Sequence, residues 1–151
     1  IAALLAGRLG WDFVEGDDFH APSDLAAMAA GVPMTEADRQ PWLRRLHHEL
    51  QQRAPGGVVL ACSALTAHSR GVLADGIDDL RFVWLAGDPA LIEQRLRTRT
   101  RTGSDNAVGP ELVPSQLDTL EPPTDALRLD VAASPIELVD RIVDWLAEEH
   151  A

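Results

Sequence analysis

The chain has 151 residues, enough for one domain with a real core, and its 46% apolar content is ordinary for a globular protein. A formal charge of -11 argues against a nucleic-acid partner, because nothing would offset phosphate repulsion over a broad surface. No apolar run is long enough to cross a bilayer, which argues against a membrane protein, and the single cysteine, Cys62, excludes an internal disulfide and fits a cytoplasmic location.

Residues 1–9 (IAALLAGRL) are rich in alanine and leucine and predict a helix, with Gly10 as its stop. Residues 12–15 predict a short strand. Ser23 is the expected cap of a short helix carrying Leu25 and Met28 and closed by Gly31. Thr35 is the expected cap of the next helix, with Pro41 early in it and Leu43, Leu46 and Leu50 on one face. The APGG at 54–57 is a break. VVLAC at 58–62 and FVWL at 82–85 are continuous apolar runs, the pattern of strands covered on both faces. Asp88 and Pro89 open a helix with Leu91, Ile92 and Leu96. Residues 102–109 read as a polar loop, 112–120 as a short helix and 126–131 as a last strand. Ser134 and Pro135 open a final amphipathic helix.

Strands alternating with helices predict an α/β domain with a parallel sheet. Ligands in such sheets bind at the carboxyl ends of strands. GDDFH at 16–20 follows one strand end and SAL at 63–65 follows another, so both are expected to face one crevice.

Together with the residue before it, the first of these segments sets Glu15, Asp17, Asp18 and His20 within six positions. Carboxylates so close repel one another unless a ligand relieves them. On the residues alone the cluster reads as a solvated acidic turn or as a binding site. Arg39 and Arg70 suit a carboxylate ligand, since a guanidinium is planar and presents paired donors. An ordinary ion pair, such as Arg39 with Asp38 or Glu36, is the alternative. All 13 basic residues are arginine, so no step that needs a lysine can come from these residues.

EGDDFH, MAAGVPMTEADRQPWL at 28–43, CSAL with Arg70, FVWLAGD at 82–88 and SQLDTLEPP at 115–123 together resemble the gluconokinase family of P-loop sugar-acid kinases. The resemblance spans nearly the whole chain and is most specific at GDDFH and at D-R-x-P-W-L. It implies a P-loop kinase-like three-layer fold with a parallel sheet, in a single kinase domain over 1–151 with a lid at about 95–114. It implies transfer of the γ-phosphoryl of ATP to the 6-hydroxyl of D-gluconate, with Mg²⁺, and a homodimer as the possible assembly.

The resemblance also suggests roles. Asp17 is the first candidate to orient the acceptor hydroxyl and take its proton. Glu15, Asp18 and Ser63 are the candidates to hold Mg²⁺, directly or through water. Asp18, His20, Arg39 and Arg70 are the candidates to bind the sugar acid. Arg95 and Arg99, four apart on one helix face, match the family's lid arginines over the ATP phosphates. Arg97 and Arg101 read as solvated helix surface, and Trp42 and Cys62 as core.

Three departures from the family pattern bear on function. The phosphate-binding loop G-x-x-x-x-G-K-[ST] does not occur in these residues. The resemblance places it, with the strand that leads to it, immediately before Ile1, and places that strand between 58–62 and 82–85 in the sheet. The lid lacks the family's G-H-F motif, and Thr66 stands where the family commonly has lysine. A kinase for another small sugar acid or polyol, and a non-catalytic binding remnant, are therefore the alternatives to a gluconokinase.

Overall fold

The computed structural model describes residues 1–101 and 110–149, with the side chains of 1–98 and 110–148. Helix α1 (Ala2–Leu9) ends where Gly10 takes φ 69°, a left-handed conformation that suits a residue without Cβ. Strand β1 (Asp12–Glu15) follows and runs straight into a 3-10 turn, Gly16–Phe19. Helix α2 (Pro22–Ala29) comes next. Its cap differs from expectation: the Asp24 carboxylate accepts from the Ala21 N–H at 3.1 Å, and Ser23 lies inside the first turn.

Helix α3 (Glu36–Arg53) starts at Thr35 as the sequence predicts. The Asp38 N–H donates to Thr35 Oγ1 at 3.2 Å, and Asp38 Oδ2 accepts from the Thr35 N–H at 3.0 Å, a reciprocal capping box. Strand β2 (Val58–Ala61) leads to helix α4 (Ala67–Ala74), which the apolar pattern does not reveal. It is capped by Thr66, whose hydroxyl accepts from the Ser69 N–H at 3.1 Å. Strand β3 (Val83–Ala86), helix α5 (Pro89–Arg101), helix α6 (Val113–Thr119), strand β4 (Leu127–Asp130) and helix α7 (Pro135–Glu149) complete the described chain.

The ladders are parallel throughout. β1 pairs with β2, Asp12 opposite Val58 through Glu15 opposite Ala61. β3 pairs with β4, Val83 opposite Leu127 through Ala86 opposite Asp130. β2 and β3 do not pair with each other.

Helices cover both faces. On one, Leu5 of α1 and Leu138, Val139 and Ile142 of α7 pack with Leu129, and Val59, Val83 and Leu127 join them. On the other, Trp42, Leu43, Leu46 and Leu50 of α3 pack with Leu73 of α4 over Val58 and Leu60. The alternation along β2 explains its apolar run: successive side chains enter opposite cores. Every β2 residue is nonetheless only half-buried, and Leu85 of β3 is exposed. Each of these strands has a ladder partner on one flank only among the described residues.

Candidate active site

Because β1 and β2 are parallel and end side by side, the segments that follow them emerge together. Gly16 makes this possible. A Cβ there would sit 2.6 Å from the Ala61 carbonyl oxygen and 2.8 Å from Cys62 Cβ, closer than packed atoms allow. The turn after β1 is fastened to α3 at both ends. The Trp42 indole N–H donates to the Gly16 carbonyl at 2.7 Å, and Arg45 Nε donates to the Phe19 carbonyl at 2.7 Å.

Trp42 is fully buried and organises three groups. The His20 ring stacks on it, with centroids 4.6 Å apart and planes 6° from parallel. The Arg39 guanidinium lies 5.1 Å from the indole centroid, a cation–π contact. Arg39 Nη2 also donates to the Ser63 carbonyl, and to Ser63 Oγ at 3.2 Å. Burial pulls the Arg39 pKa below the ordinary guanidinium value, and the nearby carboxylates of Glu36 and Asp17 offset part of that pull. The His20 side chain is only 4% exposed. Its Nε2 lies 3.7 Å from Asp17 Oδ1, within ion-pair range but beyond hydrogen-bonding distance. Its Nδ1 is buried without a hydrogen-bond partner. A buried polar atom of that kind calls for a ligand or a water.

Beside this cluster lies a cleft of about 210 Å³ at the carboxyl ends of β1 and β2. His20, Arg39 and Ser63 line one part of it, and Glu36 joins them from the start of α3. Ser115, Gln116 and Thr119 of α6 also line it, while Met28, Met34 and Leu112 supply apolar wall. Glu36 is held by a part-buried relay: Thr66 Oγ1 donates to Ser69 Oγ at 3.0 Å, and Ser69 Oγ donates to Glu36 Oε1 at 3.3 Å. A larger hollow of about 590 Å³ lies at the amino ends of β3 and β4, beside Arg81, Asp125 and Trp145. It contains none of the expected site residues and sits at the end of the sheet where α/β folds do not bind ligands.

The expected site residues divide. The structure gathers His20, Arg39 and Ser63 on the cleft wall, with Asp17 against His20. Glu15 is half-buried at the end of β1, and Asp18 is exposed on the turn. Arg70 stands off the cleft: its Nη1 donates to the carbonyls of Ala64 and Leu65 at 3.1 and 3.2 Å and so fastens the loop after β2. Arg95 is exposed on α5 and does not line the cleft. Arg97, also exposed, pairs with Glu93 at 3.0 Å, as a solvated helix face would. The Arg99 side chain and the lid residues 102–109 lie outside the described residues.

Among the described residues, no group of three or more His, Cys, Asp or Glu is arranged to hold a metal ion. Mg²⁺ keeps several waters and takes one or two carboxylates plus phosphate oxygens rather than a full protein cage, so the donor chemistry of Glu15 and Asp18 is compatible with it, although neither lines the cleft. Ser63 is the weakest of the three expected donors, since a dication at its hydroxyl would face the Arg39 guanidinium. Cys62 takes no part. Part of the residue reaches the surface, but burial of the thiol pushes its pKa up to about 12.

Sequence reasoning missed Glu36, Ser69 and Gln116. Thr66 and Ser69 carry a cap spacing that marks α4. Gln116 lies within the quoted SQLDTLEPP segment, whose place in the cleft only the fold reveals. Glu121 of that segment accepts from the Ala67 N–H at 2.7 Å, and its own N–H donates to the Leu65 carbonyl at 2.9 Å, which ties the end of α6 to the loop after β2.

An acidic turn and a buried arginine at the carboxyl ends of parallel strands, with helices on both faces, match the architecture of the P-loop kinase class, and similarity to solved and curated kinases makes the chain a phosphotransferase. An unliganded sugar kinase from a Janibacter species superimposes with a TM-score of 0.83 and 34% identity, over 97% of this chain and 85% of that one. A gluconokinase from Sinorhizobium meliloti superimposes with a TM-score of 0.80 and 29% identity, over 99% of this chain and 89% of that one. In sequence, the chain is 42% identical over 127 residues to a gluconokinase from Gluconobacter oxydans, spanning 83% of this chain and 69% of its relative. The chain belongs to the gluconokinase family. No family model matches it.

Proposed function

We propose that this protein phosphorylates D-gluconate with ATP at the 6-hydroxyl, and that the cleft beside Trp42 holds the sugar acid. The observation that carries the reading is the convergence of Arg39, His20 and Ser63 on one cleft, with Asp17 beside His20. The Arg39 guanidinium is buried and cationic, and its N–H groups beyond those committed to Ser63 are available to the gluconate carboxylate. The unpartnered Nδ1 of His20 is available to a hydroxyl along the polyol.

Asp17 acts as the base. As the 6-oxygen forms its bond to the γ-phosphorus, the bond from that phosphorus to the β–γ bridging oxygen breaks and ADP leaves. The hydroxyl proton passes to the Asp17 carboxylate. Glu15 and Asp18, with Ser63 as a subsidiary donor, would hold Mg²⁺, which when bound neutralises charge on the ATP phosphates. Arg95 and Arg99, in a lid spanning about 95–114 of a single kinase domain, complete that neutralisation. Location in the cytoplasm and assembly as a homodimer belong to the same proposal.

The experiment is a coupled assay with ATP and Mg²⁺ across gluconate, shikimate, glycerate and simple polyols. It uses a chain extended upstream to include the expected phosphate-binding loop. Preference for gluconate is the expected result. Preference for any other acceptor would overturn the substrate assignment, and no turnover with any acceptor would favour a binding remnant.

A further inference from the structure

The cleft has a second wall, and its chemistry differs from the first. Of the three α6 residues that line it, Ser115 and Thr119 spend their hydroxyl protons on backbone. Ser115 Oγ donates to the Leu112 carbonyl at 2.9 Å, and Thr119 Oγ1 donates to the Ser115 carbonyl at 2.8 Å. Gln116 does not. The residue is half-buried and lines the cleft and, among the described residues, its side-chain amide makes no hydrogen bond. It therefore brings an uncommitted carbonyl acceptor and an uncommitted NH₂ donor pair to the wall.

The helix that carries Gln116 is also held in place. Leu112 and Val113 are buried at the start of α6, and the two Glu121 hydrogen bonds fasten its far end to the loop after β2. Helix α6 is thereby buried at its start and tied at its far end to the loop that carries Ser63. A donor–acceptor pair carried on an anchored helix suits a ligand bearing hydroxyls, each of which both donates and accepts. A carboxylate would satisfy only the donor half.

Given the gluconate reading, on which this inference rests, we infer that Gln116 is a specificity-determining residue that reads a hydroxyl on the polyol chain of the substrate. Arg39 takes the charged end, and Gln116 distinguishes a polyhydroxylated acid from a shorter or deoxygenated one. A site that hydrogen-bonds a hydroxyl rejects the analogue lacking it, because its own polar group is then left unpaired.

The test is calorimetric binding to the upstream-extended chain with a non-hydrolysable ATP analogue present. The ligands are D-gluconate and its singly deoxygenated analogues, and the proteins are wild type, Gln116→Leu and Gln116→Ala. Wild type is expected to lose about tenfold in affinity on removal of one particular hydroxyl. Gln116→Leu is expected to bind gluconate about tenfold more weakly than wild type, with an unchanged melting temperature, and to be indifferent to the loss of that same hydroxyl. If Gln116→Leu melts early, Gln116→Ala is judged by the same two criteria. A variant that binds gluconate as wild type does and keeps the wild-type deoxy profile overturns the role of Gln116 alone. A wild-type protein that binds no gluconate overturns the substrate reading and this inference together.

Discussion

The indole N–H of Trp42 reaches 2.7 Å to the carbonyl oxygen of Gly16, and through that contact α3 fixes the turn carrying Asp17. The same indole stacks with His20 and lies under Arg39. Trp42 is thus a positioning residue, although it touches neither the cleft nor, in the proposed reaction, the reacting atoms. Trp42→Phe keeps an aromatic ring but removes the donor, leaving the buried Gly16 carbonyl without this partner. The expected loss of stability is about 1–3 kcal/mol. Turnover should fall by roughly 10²-fold, the cost of an ångström of misplacement at the turn. Melting curves and steady-state kinetics check the two parts, and unchanged kcat would reduce Trp42 to a packing residue.

Gly16 tests the same junction from the other side. In Gly16→Ala the new methyl would meet the Ala61 carbonyl at 2.6 Å, and backbone cannot step aside as a flexible side chain can. Overpacking of this kind costs about 1–3 kcal/mol. A denaturant midpoint equal to that of wild type would mean that the strand ends lie further apart than described.

Asp17→Asn retains size and removes both the base and the negative charge. A positioned general base contributes about 10²–10⁴ to the rate, so kcat should fall by that factor while gluconate affinity changes less. Near-normal turnover would move the base role to Asp18.

The capping box gives a pH signature. Hydrogen bonds from the Thr35 hydroxyl and from its backbone N–H hold the Asp38 carboxyl below 3.8. With the folded value depressed, the contribution is complete above the unfolded value and disappears as pH falls through the folded one. The melting temperature of Thr35→Ala should therefore lie below that of wild type at neutral pH, and the gap should narrow as pH falls below the ordinary carboxylate range. Melts recorded across that range decide it, and a gap that widens in acid contradicts the assignment.

Cys62 should be chemically silent. With the thiol pKa pushed up to about 12, the thiolate fraction at neutral pH is negligible. A thiolate-selective disulfide reagent is expected to react only after denaturation, and rapid labelling of the folded protein would show that the end of β2 is open.

Much of this protein was legible in its sequence. Gly10, Thr35, Asp88 and Ser134 mark helix ends because caps are local devices, formed by residues two to four positions apart. The runs at 58–62 and 82–85 are strands, as the patterning of the two cores requires. GDDFH and D-R-x-P-W-L pointed to a family because they combine uncommon residues at fixed spacing. Helix α4 escaped notice, having a weak apolar stripe and relying on its Thr66 cap and its packing against α3. What tertiary structure alone decided was which polar residues meet. Arg39 and Arg70 read alike as lone arginines, yet the fold turns Arg39 into the cleft over Trp42 and spends Arg70 on the carbonyls of its own loop. Gln116 reaches the same cleft from 77 positions beyond Arg39, a separation that follows from their numbering and across which no local pattern carries information. Helix and strand propensities act over a few residues, whereas the site is built from contacts that exist only once α3, α6 and the ends of β1 and β2 have packed.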